Sequence, residues 1–189
     1  YNCEWSQELS LEESFSQYLD AWILLHVLRH QLGWDSGERD DGPGFIFNMS
    51  AGYNLEGIQS AKMQRFLDRM SDCEAEKSER VRRLAKIYPE IDKLDIPGRL
   101  SDNLTVSTMH GCPPEEIEKI GRYFIEERGL HTTIKLNPTL LGPDRLRGIL
   151  NDTLGWPVTV PDIAFEHDLE YAAGIDLIQA LKDSARKSG

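Results

Sequence analysis

The chain has 189 residues, 40% of them apolar, enough for one domain with a sizeable core. Its 32 Asp and Glu outnumber 21 Lys and Arg, giving a net charge of -11. That balance argues against non-specific nucleic-acid binding and against an anionic membrane surface, both of which need a cationic face.

Taken in chain order, residues 8–32 predict a helix. Ser10 or a neighbour can cap it, Leu11, Phe15, Tyr18, Leu19, Trp22, Leu25 and Leu32 recur at helical spacing, and Gly33 stops it. Residues 33–44 are a polar, glycine-rich loop, and nine acids against Arg29 and Arg39 concentrate the negative charge in residues 1–42. Phe45–Ser50 predicts a short buried strand, followed by a helix at about 56–71. Residues 72–97 carry seven acids, six bases and few apolar anchors (Val81, Leu84, Ile87), which predicts a solvated helical insertion closed by Pro89 and Pro97. Strand 103–109, helix 113–128 (stopped by Gly129), strand 131–136, helix 143–152, strand 158–164 and helix 168–186 follow.

From residue 103 the pattern is β-α-β-α-β-α with short connections, so parallel strands with outer helices are expected. Four parallel strands with outer helices, plus the N-terminal helix, make an α/β fold that is about half of an eightfold (β/α) TIM-like barrel, which takes roughly 250 residues. A small open α/β sheet is the alternative. No Gly-x-Gly-x-x-Gly or phosphate-loop motif supports a nucleotide-binding Rossmann reading.

No stretch approaches the ~20 apolar residues of a membrane span, and no secretory signal is evident. Cys3, Cys73 and Cys112 form no C-x-x-C, so no disulfide or zinc framework is expected, and a reducing cytoplasmic setting is. The chain begins at Tyr1 rather than at a methionine, which suggests a piece of something longer.

In a parallel barrel the active site is built at the C-terminal ends of the strands. Those ends would present Asn48-Met-Ser50, Thr108-Met-His-Gly-Cys112, Lys135-Leu-Asn137 and Asp162 to one rim. Lys135 interrupts the apolar strand Thr-Ile-Lys-Leu. If that strand is buried on both faces, the lysine must face a polar cavity or an anion, because a buried unpaired charge is very costly. Cys112 stands just before a helix whose N-terminus would favour a thiolate. Glu115 and Glu116 oppose that effect, so a structural cap competes with a reactive thiol. His110 could donate a proton or bind an anion, or serve only as a loop hydrogen-bonding group. Gly52–Gly57 could approach a ligand closely or be a plain strand-to-helix turn. His26 and His30 are i,i+4 but no third ligand is placed nearby, and no metal site is expected.

At these segments the chain resembles a known family. Glu4-Trp5-Ser6, Phe45–Ile58, Ser107–Pro114 and Lys135–Gly142 are similar to the family named for a putative selenate reductase subunit. Those long proteins resemble the NADPH-dependent glutamate synthase small subunit in one part and the flavin barrel of dihydropyrimidine and dihydroorotate dehydrogenases in another. The resemblance implies that this chain is the barrel-like segment of a multidomain flavin and iron–sulfur oxidoreductase. FAD, NADPH and iron–sulfur modules would then lie outside it, and the isolated segment would be inactive.

By the same resemblance, Lys135 and Asn137 would hold FMN, with Asn48 and Ser107 beside it and Cys112 and His110 on the catalytic, substrate side. The chain departs from the dehydrogenase pattern Asn-Leu-Ser-Cys-Pro, having Ser107-Thr-Met-His-Gly-Cys-Pro113 with His110-Gly111 extra, so a pyrimidine or orotate substrate is not implied. The expected partners are the other modules of the same redox protein and a small-molecule substrate. A second copy would also cover open sheet edges. The alternative function is a non-catalytic scaffold that keeps the barrel fold without flavin.

Overall fold

A computed structural model describes residues 10–34, 45–52, 54–107, 112–166 and 168–189. The chain divides into two compact units, residues 1–49 with 56–103, and residues 50–55 with 104–189.

The first unit is built on helix α1 (Leu11–Gln31). Ser10 caps it with a reciprocal box: the Ser10 hydroxyl accepts from Glu13 N–H at 3.3 Å, and the Glu13 carboxylate accepts from Ser10 N–H at 2.7 Å. Its inner face buries Leu11, Phe15, Tyr18, Leu19, Trp22 and Ile23. The helix predicted at 56–71 is two helices, α2 (Leu55–Gln59) and α3 (Ala61–Ser71). They separate at Ser60, whose extended backbone lets its side chain cap α3 at Met63 N–H. Helix α3 packs Met63, Phe66, Leu67 and Met70 into the core beside α1.

Helix α4 (Glu74–Leu84) has no buried residue, as a solvated insertion should. The anchors differ from those expected: Ile87 and Leu84 are exposed, while Cys73, Ile91, Ile96 and Leu100 are buried. Cys73 N–H and Sγ both reach Gly98 O, and Leu100 and Ser101 N–H both donate to Met70 O, so the return of the chain is stitched to the end of α3. Trp22 Nε1 donates to Pro97 O at 3.0 Å.

The three strands among the described residues are β1 (Asn48–Ala51), β2 (Asn103–Ser107) and β3 (His131–Lys135), in sheet order β1-β2-β3 and parallel. Sequential parallel order is what barrel winding produces. β1 begins three residues later than predicted, because Phe45 and Phe47 stack instead against Trp22, at 5.6 and 5.3 Å between centroids.

In the second unit, helix α5 (Pro114–Arg122) runs on through a π-helical turn, Tyr123–Glu127. It stops at Gly129 (φ +61°), where Leu130 N–H closes back on Phe124 O at 2.9 Å. Helix α6 (Pro143–Arg147) continues likewise through Gly148–Thr153. Short helix α7 (Ile163–Glu166) and long helix α8 (Tyr171–Ser188) complete the unit. Ile117 of α5 and Leu177 and Leu181 of α8 form its helical core, flanked by Cys112, Ile125, Ile134, Leu136 and Leu169.

The strand predicted at 158–164 is not one, which corrects the expected four strands to three among the described residues. Its carbonyls are taken by side chains. Asn151 Nδ2 donates to Trp156 O and Val158 O at 2.8 Å each, and Arg147 Nε donates to Val160 O at 3.1 Å. Pro157 and Pro161 have no N–H for a ladder. No helix among the described residues is long and apolar enough to cross a membrane.

Candidate functional site

The sheet brings some of the expected rim residues together and separates others. Ser107 closes β2 and Lys135 closes β3, so they stand at the C-terminal ends of neighbouring parallel strands. Asn48 instead opens β1, and its strand ends at Ala51. The register shift therefore removes Asn48 from the C-terminal rim where the sequence placed it. Asp162 is also displaced: it lies in the turn before α7, exposed, paired with Arg147 at 2.6 Å. His110 lies outside the described residues.

The premise that Lys135 sits in a strand buried on both faces does not hold in this chain. Among the described residues β3 is an edge strand, whose His131, Thr133 and Lys135 face is exposed, with Thr132 and Ile134 half-buried on the other face. Burial therefore does not compel Lys135 to seek an anion. Lys135 does stand at the end of its strand.

Below the β3 end a small cavity of ≈ 10 Å³ is lined by Cys112, Ile117, Leu136, Asn137, Thr139, Leu140, Asp168 and Leu169. That is room for about one water molecule. Asp168, just before α8, organises its polar side. Asn137 Nδ2 donates to both Asp168 carboxylate oxygens at 3.2 Å, and the Thr139 hydroxyl donates to Oδ2. The carboxylate thus ties the Lys-Leu-Asn-Pro segment to the start of α8. Leu140 reinforces the tie, its Cδ1 lying 3.0 Å from where a Cβ on Gly174 of α8 would be.

Cys112 is half-buried against this cavity. Burial, and then the negative charge of Glu116, push its thiol above the ordinary cysteine range. Both burial and the acid act against the thiolate that a helix end would favour. The side chain packs as one wall of the cavity. Glu116 has its own task, accepting from Leu55 N–H at the start of α2 at 3.1 Å.

His26 is half-buried and packs edge-on against Trp22 at 4.6 Å between centroids. Among the described residues no three His, Cys, Asp or Glu side chains are grouped to hold a metal ion. Asp168 is the residue that sequence reasoning missed. It lies 31 residues from Asn137, and no local pattern announces the contact.

A family model described as "Oxidoreductase YgfK, N-terminal TIM-barrel domain" matches residues 1–189. The "Putative oxidoreductase YgfK" of Escherichia coli (strain K12) is 38% identical over 207 aligned residues, covering 99% of this chain and 20% of that protein. The protein of the same name from Escherichia coli O157:H7 gives the same identity and coverage. The chain therefore spans about a fifth of the length of the curated relatives it matches. No solved structure matches it.

Proposed function

We propose, for a chain that belongs to the YgfK N-terminal TIM-barrel oxidoreductase family, that it is the flavin-binding barrel segment of a longer, selenate reductase-like cytoplasmic oxidoreductase. The observation that carries this reading is the pairing of a hydroxyl and a cation, Ser107 and Lys135, at the C-terminal ends of adjacent parallel strands. That is where barrels of this kind build their sites. The donor set suits FMN: an ammonium for a phosphate or an anionic reduced ring, and a hydroxyl that both donates and accepts.

Bound FMN would supply the electron-transfer chemistry itself. Lys135 would bind the cofactor and place positive charge beside it, and Ser107 would orient it. Asn137, held by Asp168, would fix the backbone leading away from Lys135. Cys112 and His110 would line the substrate side. Because burial and Glu116 disfavour its thiolate, Cys112 would serve there by packing and excluding water. The cavity under Asn137 is far too small for a flavin ring, so the cofactor would lie on the open rim above it. FAD, NADPH and iron–sulfur modules belong, on this reading, to the remainder of the longer protein, which would also cover the exposed edge of β3 or leave it to a second copy.

One observation favours a second reading, a scaffold without flavin: the Asn137 amide already donates to Asp168. Flavin analysis of the longer protein separates the two. The oxidoreductase reading expects one flavin beyond its FAD module, and weaker flavin retention in Lys135→Met. Normal flavin content and redox potential in that variant would overturn the assignment of Lys135.

A further inference from the structure

Besides tying two segments together, Asp168 decides which end of the Asn137 side chain is left for a ligand. A side-chain amide has a donor end, Nδ2, and an acceptor end, Oδ1. An ionised carboxylate can only accept, so the end turned to Asp168 is Nδ2, which donates to both of its oxygens at 3.2 Å. The planar amide then directs Oδ1 away from the carboxylate.

Two features leave that oxygen unspent. Asn137 is the N-cap of the 3₁₀ turn Pro138–Leu141, a position where an Asn oxygen ordinarily accepts from a backbone N–H within the first turn. Here the side chain makes no such capping bond. Among the described residues Oδ1 accepts no other hydrogen bond, and it is not one of the sealed polar atoms, so a ligand can reach it.

Thr139 is committed in the same way. Its hydroxyl proton goes to Asp168 Oδ2, which leaves the Thr139 oxygen with lone pairs only. Asp168 therefore collects the side-chain donors of Asn137 and Thr139, and what those side chains still offer is acceptors. A phosphate finds no donor in either, and the carboxylate repels it. Any phosphate contact of the rim thus falls to Lys135 and not to Asn137.

A flavin offers the complement elsewhere. Its oxidised ring carries a single N–H, at N3, a group that can only donate. Ribityl hydroxyls turn to suit either end of an amide, so the fixed orientation of Asn137 is selective only towards a donor of the N3–H kind. We propose that Asn137 Oδ1 accepts from the flavin N3–H and that Asp168 is the positioning residue that holds it in that orientation, an inference that rests on the flavin reading of the rim.

The test uses the longer protein, stripped of its flavins and reloaded with FAD, titrated with FMN and with 3-methyl-FMN and followed by flavin fluorescence. The methylated flavin keeps the phosphate and the ribityl chain but has no N3–H. Wild type should bind it about tenfold more weakly than FMN, the size of one lost hydrogen bond. Asn137→Ala should weaken FMN binding and bring the ratio of the two affinities near one. Asp168→Asn, which can hold the amide either way round, should also lower the ratio, and circular dichroism checks the fold of both variants. A loss of stability alone would weaken both flavins equally and leave the ratio unchanged. Failure of wild type to bind FMN overturns the flavin reading and this inference with it. FMN binding with equal affinity for 3-methyl-FMN, or an unchanged ratio in either variant, overturns this inference and leaves the flavin reading standing.

Discussion

The approach of α5 to α8 rests on the missing side chain of Gly121, and this can be tested quantitatively. A Cβ at Gly121 would lie 2.7 Å from Leu181 Cδ2, 3.0 Å from Cδ1 and 3.4 Å from Cγ. Gly121 and Leu181 are both buried, and Leu181 belongs to the core cluster with Ile117 and Leu177. Gly121→Ala should gain about 1 kcal/mol from helix propensity and lose about 1–3 kcal/mol from overpacking. The net effect expected is a loss of about 0–2 kcal/mol.

The clash term can be isolated. Leu181→Ala alone should cost about 2–5 kcal/mol as a buried large-to-small change. In that background the added methyl meets no Leu181 side chain, so Gly121→Ala should become stabilising by about 1 kcal/mol. Urea unfolding followed by far-UV circular dichroism gives all four corners of the cycle, with an expected coupling of about 1–3 kcal/mol. Equal effects of Gly121→Ala in the two backgrounds would refute the claim that this contact sets the helix separation.

Other predictions concern the thiols and the Asp168 tie. Burial, followed by the charges of Glu76, Asp72 and Glu74, pushes the Cys73 thiol up to about 11 from an ordinary 9.0. Because the folded-state pKa is the higher one, Cys73 contributes stability below pH 9 that is lost as pH rises towards 11. The loss is about 2–3 kcal/mol at most. Urea midpoints at pH 8 and pH 10.5 should fall less steeply in Cys73→Ala, and an unchanged pH slope would contradict the assignment. Cys112 should react with a disulfide reagent at pH 8 more slowly than a free cysteine, and Glu116→Gln should speed it. A wild-type rate above that of the free amino acid would mean the thiol is activated. Asp168→Ala should destabilise the fold by about 1–3 kcal/mol, since it strands the Asn137 and Thr139 donors. Asp168→Asn should cost less, and an Ala variant as stable as wild type would show the tie to be incidental.

Local chemistry was legible in the sequence where it acts over a few residues. Ser10, one of the caps the sequence offered, does cap α1, although the helix starts at Leu11 and not at residue 8, and Gly33 and Gly129 both adopt the positive φ that ends a helix. The β-α-β alternation after residue 103 also gave β2, α5 and β3 close to their observed bounds. Errors arose where a distant partner decides. Phe45 and Phe47 look like strand residues, but Trp22 captures them and shifts β1. Val158-Thr-Val160 alternates like a strand, yet Asn151 and Arg147 occupy its carbonyls. In residues 72–97 the anchors proved to be Ile91 and Ile96, in a 3₁₀ turn and an extended stretch with no periodicity to betray them. At the site, the strand-end position of Lys135 was readable, whereas Ser107 lay inside a strand read to residue 109. Lys135 lies on the exposed face of β3, and which face a neighbouring layer covers is not written in any single segment. Asp168 needed the folded chain to bring it to Asn137.

The most direct test of the oxidoreductase account is an FMN titration of the 189-residue chain and its Lys135→Met variant by flavin fluorescence, with circular dichroism confirming that both are folded. The account predicts saturable binding in the micromolar range, about −8 kcal/mol, markedly weakened in the variant. A well-folded chain that leaves flavin fluorescence unchanged, or a variant that binds as tightly as wild type, would contradict the rim built on Ser107 and Lys135.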